Sequence, residues 1–292
     1  MLRTRVITAL VLLAVLLLIL YLNSYGVFVA ATAVFFGAAA WESLRLFNAK
    51  LPLQGAAWWV AAFLFIAFWG GESPADYHLI LQPTLQPILQ PVFLFGVSAA
   101  IWVMRLAPSL AIGLPPLGAV GNRLLNGVYG IAILACFVAM LALFKQSTLY
   151  LFSVLAIVWV ADIGAYFSGK AFGKHKLAPS ISPGKSWEGV AGGWSAVMLI
   201  AAASTHVPAL QDTFAVKLQA AWGWLGFVPA LTLIVAASIA GDLFESQLKR
   251  RIGMKDSSNL LPGHGGVLDR IDALIPVLPL AVLFDYWLRC KT

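Results

Sequence analysis

Ionisable side chains concentrate in the 27 residues from Ser246 to Asp272, which lie between two apolar segments. Only 11% of the whole protein is charged, so this local concentration is far above the average of the chain. Basic groups, spaced carboxylates and a Gly-His-Gly-Gly turn can together bind a polyphosphate and its divalent metal. We therefore expect the chemistry to occur here. The nine ionisable residues are Lys249, Arg250, Arg251, Lys255, Asp256, His264, Asp269, Arg270 and Asp272.

Carboxylates follow a helical spacing at both ends of this segment. Asp242, Glu245, Ser246 and Lys249 are spaced i, i+3, i+4 and i+7, which places the four on one face of a predicted helix. Asp269 and Asp272 are three residues apart at the start of the next predicted helix and also share a face. Two acidic faces predict an oxygen-rich pocket for Mg²⁺, which uses few protein ligands and leaves room for phosphate oxygens.

A second polar loop is predicted on the same face of the membrane. It follows Asp162, which lies inside an apolar span, and it contains Ser182-Pro-Gly-Lys185. A carboxylate within a span is costly unless it is paired, so Asp162 and Asp242 are candidate functional residues; helix–helix hydrogen bonds or salt bridges are the alternative. The Ser-Pro-Gly-Lys sequence is not a Walker motif, because the required glycine spacing is absent.

Several residues of the 246–272 segment keep more than one role at this stage. Gly265 and Gly266 allow backbone N–H groups to approach a phosphate closely. His264 is compatible with donation to phosphate, with proton transfer or with holding the loop. Arg251 fits either phosphate binding or a positive anchor at the membrane surface.

Composition places the chain in a membrane. Of its 292 residues 61% are apolar, whereas a soluble domain has about 45–50%. Because lipid cannot satisfy open backbone groups, we predict an all-α, polytopic fold. Apolar runs of about 17–25 residues are the unit of a spanning helix. We predict about nine spans, at 6–22, 25–47, 54–69, 91–106, 124–144, 149–168, 189–205, 225–247 and 271–288.

The basic residues predict an orientation. With the N-terminus in the cytoplasm, fifteen Lys and Arg side chains fall on the cytoplasmic side and four on the other. Eight further spans follow the first, which favours a retained helix over a signal peptide. Residues 70–90, with no Lys or Arg and recurring prolines, predict an irregular outer loop. We expect one membrane-embedded unit, with about five helices in 1–145 and about four in 146–292 that carry the catalytic cytoplasmic loops.

The spacing of these residues resembles the signature of the phosphatidate cytidylyltransferases, the CDP-diacylglycerol synthases. The first part is Ser246-x-x-Lys249-Arg250-x₄-Lys255-Asp256, and the second is Pro262-x-His264-Gly-Gly266-x-x-Asp269-Arg270-x-Asp272. Residues 162–189 resemble the second conserved region of that family. The resemblance covers roughly residues 160–275, and no motif position departs from it.

The resemblance implies a reaction, its partners and its site. CTP and phosphatidate would give CDP-diacylglycerol and diphosphate, with Mg²⁺ as cofactor, on the cytoplasmic side of the inner membrane. It implies metal coordination by Asp242 and Asp269, with Asp272 close by, and catalytic roles for Lys249, Arg250 and His264. Lys185 with Ser182 would serve either CTP or the lipid phosphate. The implied substrate-binding residues are Ser182, Lys185, Ser246, Lys255, Asp256, Gly265, Gly266, Arg270 and Asp162.

Other functions are considered beside this one. A polyprenol kinase or a CDP-archaeol-type synthase would use nearly the same site with a different acceptor. The motif of the CDP-alcohol phosphatidyltransferases is absent from the sequence. A secondary transporter predicts charges near the bilayer midplane and half-helix repeats, whereas these charges cluster at one membrane face. We expect no nucleic-acid partner, and a homodimer is compatible with the sequence.

Overall fold

The computed structural model describes residues 24–69 and 91–289, together with positions 14, 18, 21 and 22. The predicted outer loop, 70–90, lies outside the described residues. So does the predicted first helix, 6–22, apart from those four positions.

Helices make up most of the described chain, as the sequence predicts. A small antiparallel hairpin is the exception that the all-α prediction missed. The helices are α1 (Tyr25–Leu46), α2 (Pro52–Trp69), α3 (Pro91–Ile101), α4 (Ala107–Ile112), α5 (Val120–Gln146), α6 (Thr148–Phe172), α7 (Trp187–Ser204), α8 (Phe214–Arg251), α9 (Leu268–Ile271) and α10 (Leu274–Arg289). A π-helical turn, Trp102–Leu106, joins α3 to α4, and the strands are β1 (Lys176–Ala178) and β2 (Ser182–Ser186).

Six helical stretches of the described chain are long and apolar enough to cross a membrane, so the protein is a multi-pass membrane protein. They are Tyr25–Leu46, Val92–Ile112, Val120–Gln146, Thr148–Phe172, Phe214–Arg251 and Leu268–Arg289. Each coincides with a predicted span. Helices α2 and α7 occupy two further predicted spans but are not among these six, and the total of nine stays a prediction.

Helix α8 is longer than the sequence pattern predicts. The predicted span, 225–247, covers only the part after a break at Gly223, whose backbone has φ 60° and ψ −173°. Glycine tolerates this conformation because it has no Cβ. A helical segment therefore precedes the break, and the helix continues four residues past the predicted end, to Arg251.

The chain forms two compact units, each built from two separate stretches of sequence. The first unit comprises 1–141 and 248–271, and the second comprises 142–247 and 272–292. Aromatic rings fill the core of the first, where the ring of Phe36 lies 5.2 Å from those of Phe63 and Phe137. The predicted division near residue 145 stays a prediction.

In the second unit, α6 and α7 approach closely through glycines. A Cβ on Gly193 would lie 2.5 Å from the carbonyl oxygen of Ala161, and one on Gly164 would lie 2.9 Å from the Cβ of Ala196. Larger residues at either position would separate the helices. This close packing fixes the hairpin between the two helices, in which Lys176 pairs with Ser186 and Ala178 with Ser182.

Candidate active site

In the first unit, the carboxylate of Asp269 forms an ion pair and accepts several hydrogen bonds. Its Oδ1 pairs with Nζ of Lys249 at 2.6 Å. Its Oδ2 accepts from the backbone N–H of Gly266 at 2.7 Å, and from the N–H and hydroxyl of Ser257 at 2.9 and 3.0 Å. The side chains of Lys249 and Asp269 are 11% and 8% exposed. A buried pair of this kind needs such additional donors, because its charges have lost their water.

Two glycines let the backbone fold around this carboxylate. Gly265 has φ 84°, and a Cβ there would lie 2.8 Å from Oδ2 of Asp269. A Cβ on Gly266 would lie 2.0 Å from the hydroxyl of Ser257 and 2.5 Å from Oε1 of Glu42. Side chains larger than glycine do not fit without rearrangement. In this structure the glycines enclose Asp269, and their contact with substrate stays a prediction.

Glu42, in α1, is a further carboxylate that contacts this loop. It was not predicted from the sequence. It is fully buried. Its oxygens accept from the hydroxyls of Ser257 and Ser258 and from the backbone N–H groups of Val267 and Leu268. The signal was present, because Glu42 lies inside a predicted span and carboxylates inside spans are candidate functional residues.

The side chain of Arg251 is held by hydrogen bonds to neighbouring protein groups. Its guanidinium donates to the carbonyl oxygens of Pro115 and Leu46, both at 3.2 Å, and to Oδ1 of Asn122 at 2.8 Å. Asn122 in turn donates to the carbonyl oxygen of Phe47. These contacts join the ends of α1, α5 and α8, so they favour the anchoring alternative over phosphate binding for this residue.

The other basic residues of the signature are more accessible. Arg270 is exposed, and its Nε donates to the carbonyl oxygen of His264 at 3.0 Å. The ring Nδ1 of His264 is buried and has no hydrogen-bond partner among the described residues. Arg250 is exposed and makes a long bond, 3.5 Å, to the carbonyl oxygen of Met254. Arg250 and Arg270 thus lie at the surface, where an anionic group can approach them.

A cavity of about 470 Å³ borders the signature loop, which we define as residues 252–271 after the end of α8, in the first unit. Within its lining, the guanidinium of Arg45 lies 4.6 Å from the ring centroid of Trp41. Lys255, Asp256 and Asn259 add a cation, a carboxylate and an amide to the lining. Its lining residues are Trp41, Arg45, Met254, Lys255, Asp256, Ser258, Asn259 and Leu260. Aromatic, cationic and hydrogen-bonding groups are therefore combined in one small space.

The second unit contains the other predicted residues, around Lys185 and Asp242. Nζ of Lys185 lies 2.6 Å from Oδ2 of Asp242, and Oδ1 of Asp242 accepts from the hydroxyl of Ser246 at 3.2 Å. Strand β2 carries Lys185, and the next residue, Ser186, caps α7 by accepting from the N–H of Gly189. The hairpin and the cap thus hold Lys185 opposite α8.

This ion pair borders a cavity of about 470 Å³. Asp162, Lys170 and Ser182 line the same cavity as Lys185 and Asp242. Residues of the 162–189 loop and of the end of α8 thus border one cavity within this unit. Two lysines and two carboxylates around one space can bind an anionic phosphate and a cation together.

Asp272 lies where α8 meets the segment that leads into α10. Its Oδ1 accepts from the N–H of Ala273 at 2.7 Å. A Cβ on Gly241 would lie 2.3 Å from the carbonyl oxygen of Asp272, so this contact requires glycine. Gly241 is the residue before Asp242, and the close approach fixes the backbone at that carboxylate.

The residues fit Mg²⁺ shared with a substrate better than a metal held by protein alone. Among the described residues, no group of three or more His, Cys, Asp or Glu side chains could hold a metal ion. Asp162 and Asp242 nevertheless line one cavity. Mg²⁺ is commonly bound by one or two carboxylates plus phosphate oxygens, and this donor set meets that need.

His175 and Glu188 contact each other at the base of the hairpin, and we call this contact the clasp. Nδ1 of His175 lies 2.6 Å from Oε1 of Glu188, and both oxygens of Glu188 accept from the N–H of His175. The backbone N–H of Glu188 itself and then the side chain of His175 lower the pKa of Glu188 from 4.5 to about 2. The sequence motifs predict no functional role for either residue.

Comparison with known proteins shows the family of this chain. The profile of the Cytidylyltransferase family matches residues 3–287. The chain belongs to this family.

Individual relatives extend over nearly the whole chain. The phosphatidate cytidylyltransferase of Haemophilus influenzae is 35% identical over 300 residues, which cover 98% of this chain and 99% of the relative. That of Pseudomonas aeruginosa is 41% identical over 284 residues, 96% of this chain and 95% of the relative. That of Brucella suis is 46% identical over 132 residues, 45% of this chain. The family predicted from the two signature segments is confirmed.

The structure thus brings the predicted residues of this cytidylyltransferase-family chain into two sets. Lys249, Lys255, Asp256, Gly265, Gly266, Asp269 and Arg270 surround the loop of the first unit, with Arg250 and His264 beside them. Asp162, Ser182, Lys185, Asp242 and Ser246 form the second set, and Asp272 belongs to the same unit.

Proposed function

We propose that this protein is a phosphatidate cytidylyltransferase, which transfers the CMP group of CTP to phosphatidate and releases diphosphate. The observation that carries the proposal is the match to relatives of that name over 96–98% of the chain. A match limited to the signature would leave the acceptor undefined. The full-length match includes the helices on which a lipid substrate depends, and it favours phosphatidate over a polyprenol or an archaeol phosphate.

The chemistry requires alignment and charge neutralisation. A phosphate oxygen of phosphatidate attacks the α-phosphorus of CTP, and the bond from that phosphorus to the bridging oxygen of diphosphate breaks. The nucleophile is already an anion, so no general base is needed. Two highly charged anions must nevertheless approach each other, and cationic side chains that offset their repulsion stabilise the transition state.

Both sets of residues supply such cations. Lys185, which borders the cavity of Asp162 and Asp242, is 26% exposed and can reach a bound phosphate. We assign this cavity to a substrate phosphate. Arg250, Lys255 and Arg270 are exposed in or beside the signature loop, and we assign them to phosphate binding as well. Lys249 is largely buried against Asp269 and holds the loop that carries them.

We propose Mg²⁺ as the cofactor, with Asp242 as a ligand; the roles of Asp269 and Asp272 as ligands stay predictions from the sequence. Bound Mg²⁺ would neutralise charge on the phosphates of CTP. Asp242, 33% exposed, has the more accessible carboxylate, and Asp162 shares its cavity. Asp269, 8% exposed, already accepts from Lys249, Ser257 and Gly266. Asp242 is accordingly the ligand for which the environment offers the strongest support.

We also propose that the protein lies in the inner membrane with these groups on the cytoplasmic side. Fifteen of its nineteen Lys and Arg side chains fall on that side when the N-terminus is cytoplasmic. CTP is a cytoplasmic substrate, and phosphatidate is a membrane lipid.

The fate of each part of CTP tests the reaction. Purified protein is incubated with phosphatidate and CTP labelled in the cytosine ring, the α-phosphate or the γ-phosphate. We expect cytosine and α-label in the organic phase and γ-label in diphosphate. Transfer of γ-label to lipid, with cytosine left in water, would instead identify a lipid kinase. A panel of lipid phosphates then defines the acceptor.

A further inference from the structure

Glu42 lies far from both signature segments in sequence, yet its whole side chain is committed to the signature loop. It is separated by 215 residues from Ser257 and by 226 from Leu268. Helix α1 carries it near its C-terminal end, and its exposure is 0%. A fully buried carboxylate is costly unless several donors surround it. The contacts of Glu42 meet that requirement.

Four donors reach the carboxylate, all from the loop. Oε1 accepts from the hydroxyl of Ser258 at 2.5 Å and from the N–H of Val267 at 3.0 Å. Oε2 accepts from the N–H of Leu268 at 2.6 Å and from the hydroxyl of Ser257 at 3.1 Å. A carboxylate has about four acceptor positions. Glu42 therefore fastens both sides of the loop, 257–258 and 267–268, to α1.

The same contacts lead directly to Asp269. The hydroxyl of Ser257 lies between the two carboxylates, 3.1 Å from Oε2 of Glu42 and 3.0 Å from Oδ2 of Asp269, and they share its single proton. The N–H of Ser257 donates to Oδ2 of Asp269 as well. Asp269 in turn pairs with Lys249. A displacement of Ser257 would therefore change the position of Asp269 and of Lys249. Because Glu42 is 0% exposed, its carboxylate is closed off from a substrate by the loop.

We propose that Glu42 is a positioning residue for cytidylyl transfer, acting through Ser257 on Asp269 and Lys249. This proposal rests on the proposed function. Its consequence is specific: loss of the carboxylate should lower the rate of the chemical step more than it lowers substrate binding. Displacement of reacting groups by about 1 Å can reduce a rate by about a hundredfold, whereas the exposed, flexible basic side chains that bind phosphate can follow a shift of that size.

The test compares Glu42→Gln with Ser43→Ala in the purified full-length protein. Glutamine has nearly the same shape, but its NH₂ group would face donors where an oxygen now accepts. Ser43 is the adjacent residue, is also buried, and its hydroxyl has no hydrogen-bond partner among the described residues. We expect kcat of Glu42→Gln to fall about a hundredfold, with the KM for CTP changed less than about threefold. Ser43→Ala should keep both constants.

A second variant covers the case in which Glu42→Gln does not fold. Ser257→Ala removes one donor and the link to Asp269 while the backbone N–H contacts of Glu42 remain. It should lower kcat about tenfold, again with little change in KM. Folding is followed by size-exclusion chromatography and thermal unfolding, and rates are expressed per folded molecule.

The outcomes separate the two proposals. A wild-type protein that transfers no cytosine label to phosphatidate would refute the proposed function. An active wild type together with Glu42→Gln or Ser257→Ala variants of unchanged kcat would refute the positioning role. A loss of activity that merely follows the loss of folded protein, or a change confined to KM, would refute it as well.

Discussion

The same role, metal coordination, is predicted for Asp242 and Asp269 from the sequence, but their environments in the structure differ. Asp242 is 33% exposed, meets Lys185 and Ser246, and borders a cavity. Asp269 is 8% exposed and is held by Lys249 and by donors of its own loop. Removal of either charge should impair catalysis. Only at Asp269 should it also affect the fold.

We predict that Asp242→Asn lowers kcat/KM at least about a hundredfold, since a lost carboxylate of a metal and phosphate site costs several kcal/mol and each tenfold is about 1.4 kcal/mol. Thermal stability should change little at this partly exposed position. The matched control is Asp212→Asn, because Asp212 pairs with Lys217 at 2.5 Å in the same unit and is exposed. A variant with more than about a tenth of wild-type activity at saturating Mg²⁺ would exclude Asp242 from the site.

Asp269→Asn should reduce both activity and stability. The asparagine amide would face Lys249 or the N–H groups of Ser257 and Gly266, and would leave a buried charge or buried donors without an acceptor. Breaking a buried pair costs about 3–5 kcal/mol. Thermal unfolding in detergent should therefore show a clear decrease in Tm beside the wild type and Asp242→Asn. An unchanged Tm would mean that this carboxylate does not hold the loop.

The sequence predicted the types of these residues better than their partners. Spacing on one helix brought Asp242, Ser246 and Lys249 together as candidates, and the loop motif supplied Lys185. Glu42 satisfied the same criterion as Asp162 but was missed, because its donors lie more than two hundred residues away. No local pattern indicates that α1 fastens the signature loop.

At the level of elements, the hairpin was predicted only as a polar loop. Its strands are short, and the paired residues, Lys176 with Ser186 and Ala178 with Ser182, show no alternation of apolar and polar side chains. Pairing is instead fixed by the helices on both sides and by the contact of His175 with Glu188. Tertiary packing therefore determines a structure that hydrophobic periodicity does not reveal.

The acidity of Glu188 provides a direct test of this hairpin. Its pKa, about 2 against an ordinary 4.5, is lowered first by its own backbone N–H and then by His175. Because the folded pKa is the lower one, the clasp stabilises the hairpin fully above about pH 4.5 and loses that contribution as the pH falls towards 2. NMR of protein with ¹³C-labelled glutamate should show this low midpoint.

Two variants assign the NMR titration to Glu188 and measure the contribution of His175 to its pKa. Glu188→Gln removes the signal and so assigns it among the glutamates. His175→Ala should raise the midpoint towards 4.5 while leaving it depressed, because the backbone contribution remains. A wild-type midpoint near 4.5 would show that the clasp does not form in solution.

At the scale of the whole molecule, composition predicted a helical membrane protein but not its division. The chain passes from one compact unit to the other at 141/142, inside α5, and at 247/248, inside α8. Sequence methods find domain boundaries by linkers rich in polar residues, proline or glycine. Continuous helices carry no such signal, so the contribution of 248–271 to the N-terminal unit could not be recognised.

The orientation of the molecule is the remaining large-scale prediction. Positive residues place the signature loop in the cytoplasm and the loop before α8 outside. Single cysteines at the exposed positions Asn259 and Gln211, in a background without Cys136 and Cys290, provide the two probes. An impermeant maleimide added to intact spheroplasts should label Gln211→Cys but not Asn259→Cys, and inverted vesicles should give the opposite pattern. Labelling of Asn259→Cys from the outside would reverse the proposed topology and separate the signature from cytoplasmic CTP. Labelling of both probes from one side would mean that the chain crosses the membrane an even number of times between residues 211 and 259. The proposed topology has one crossing there, by α8.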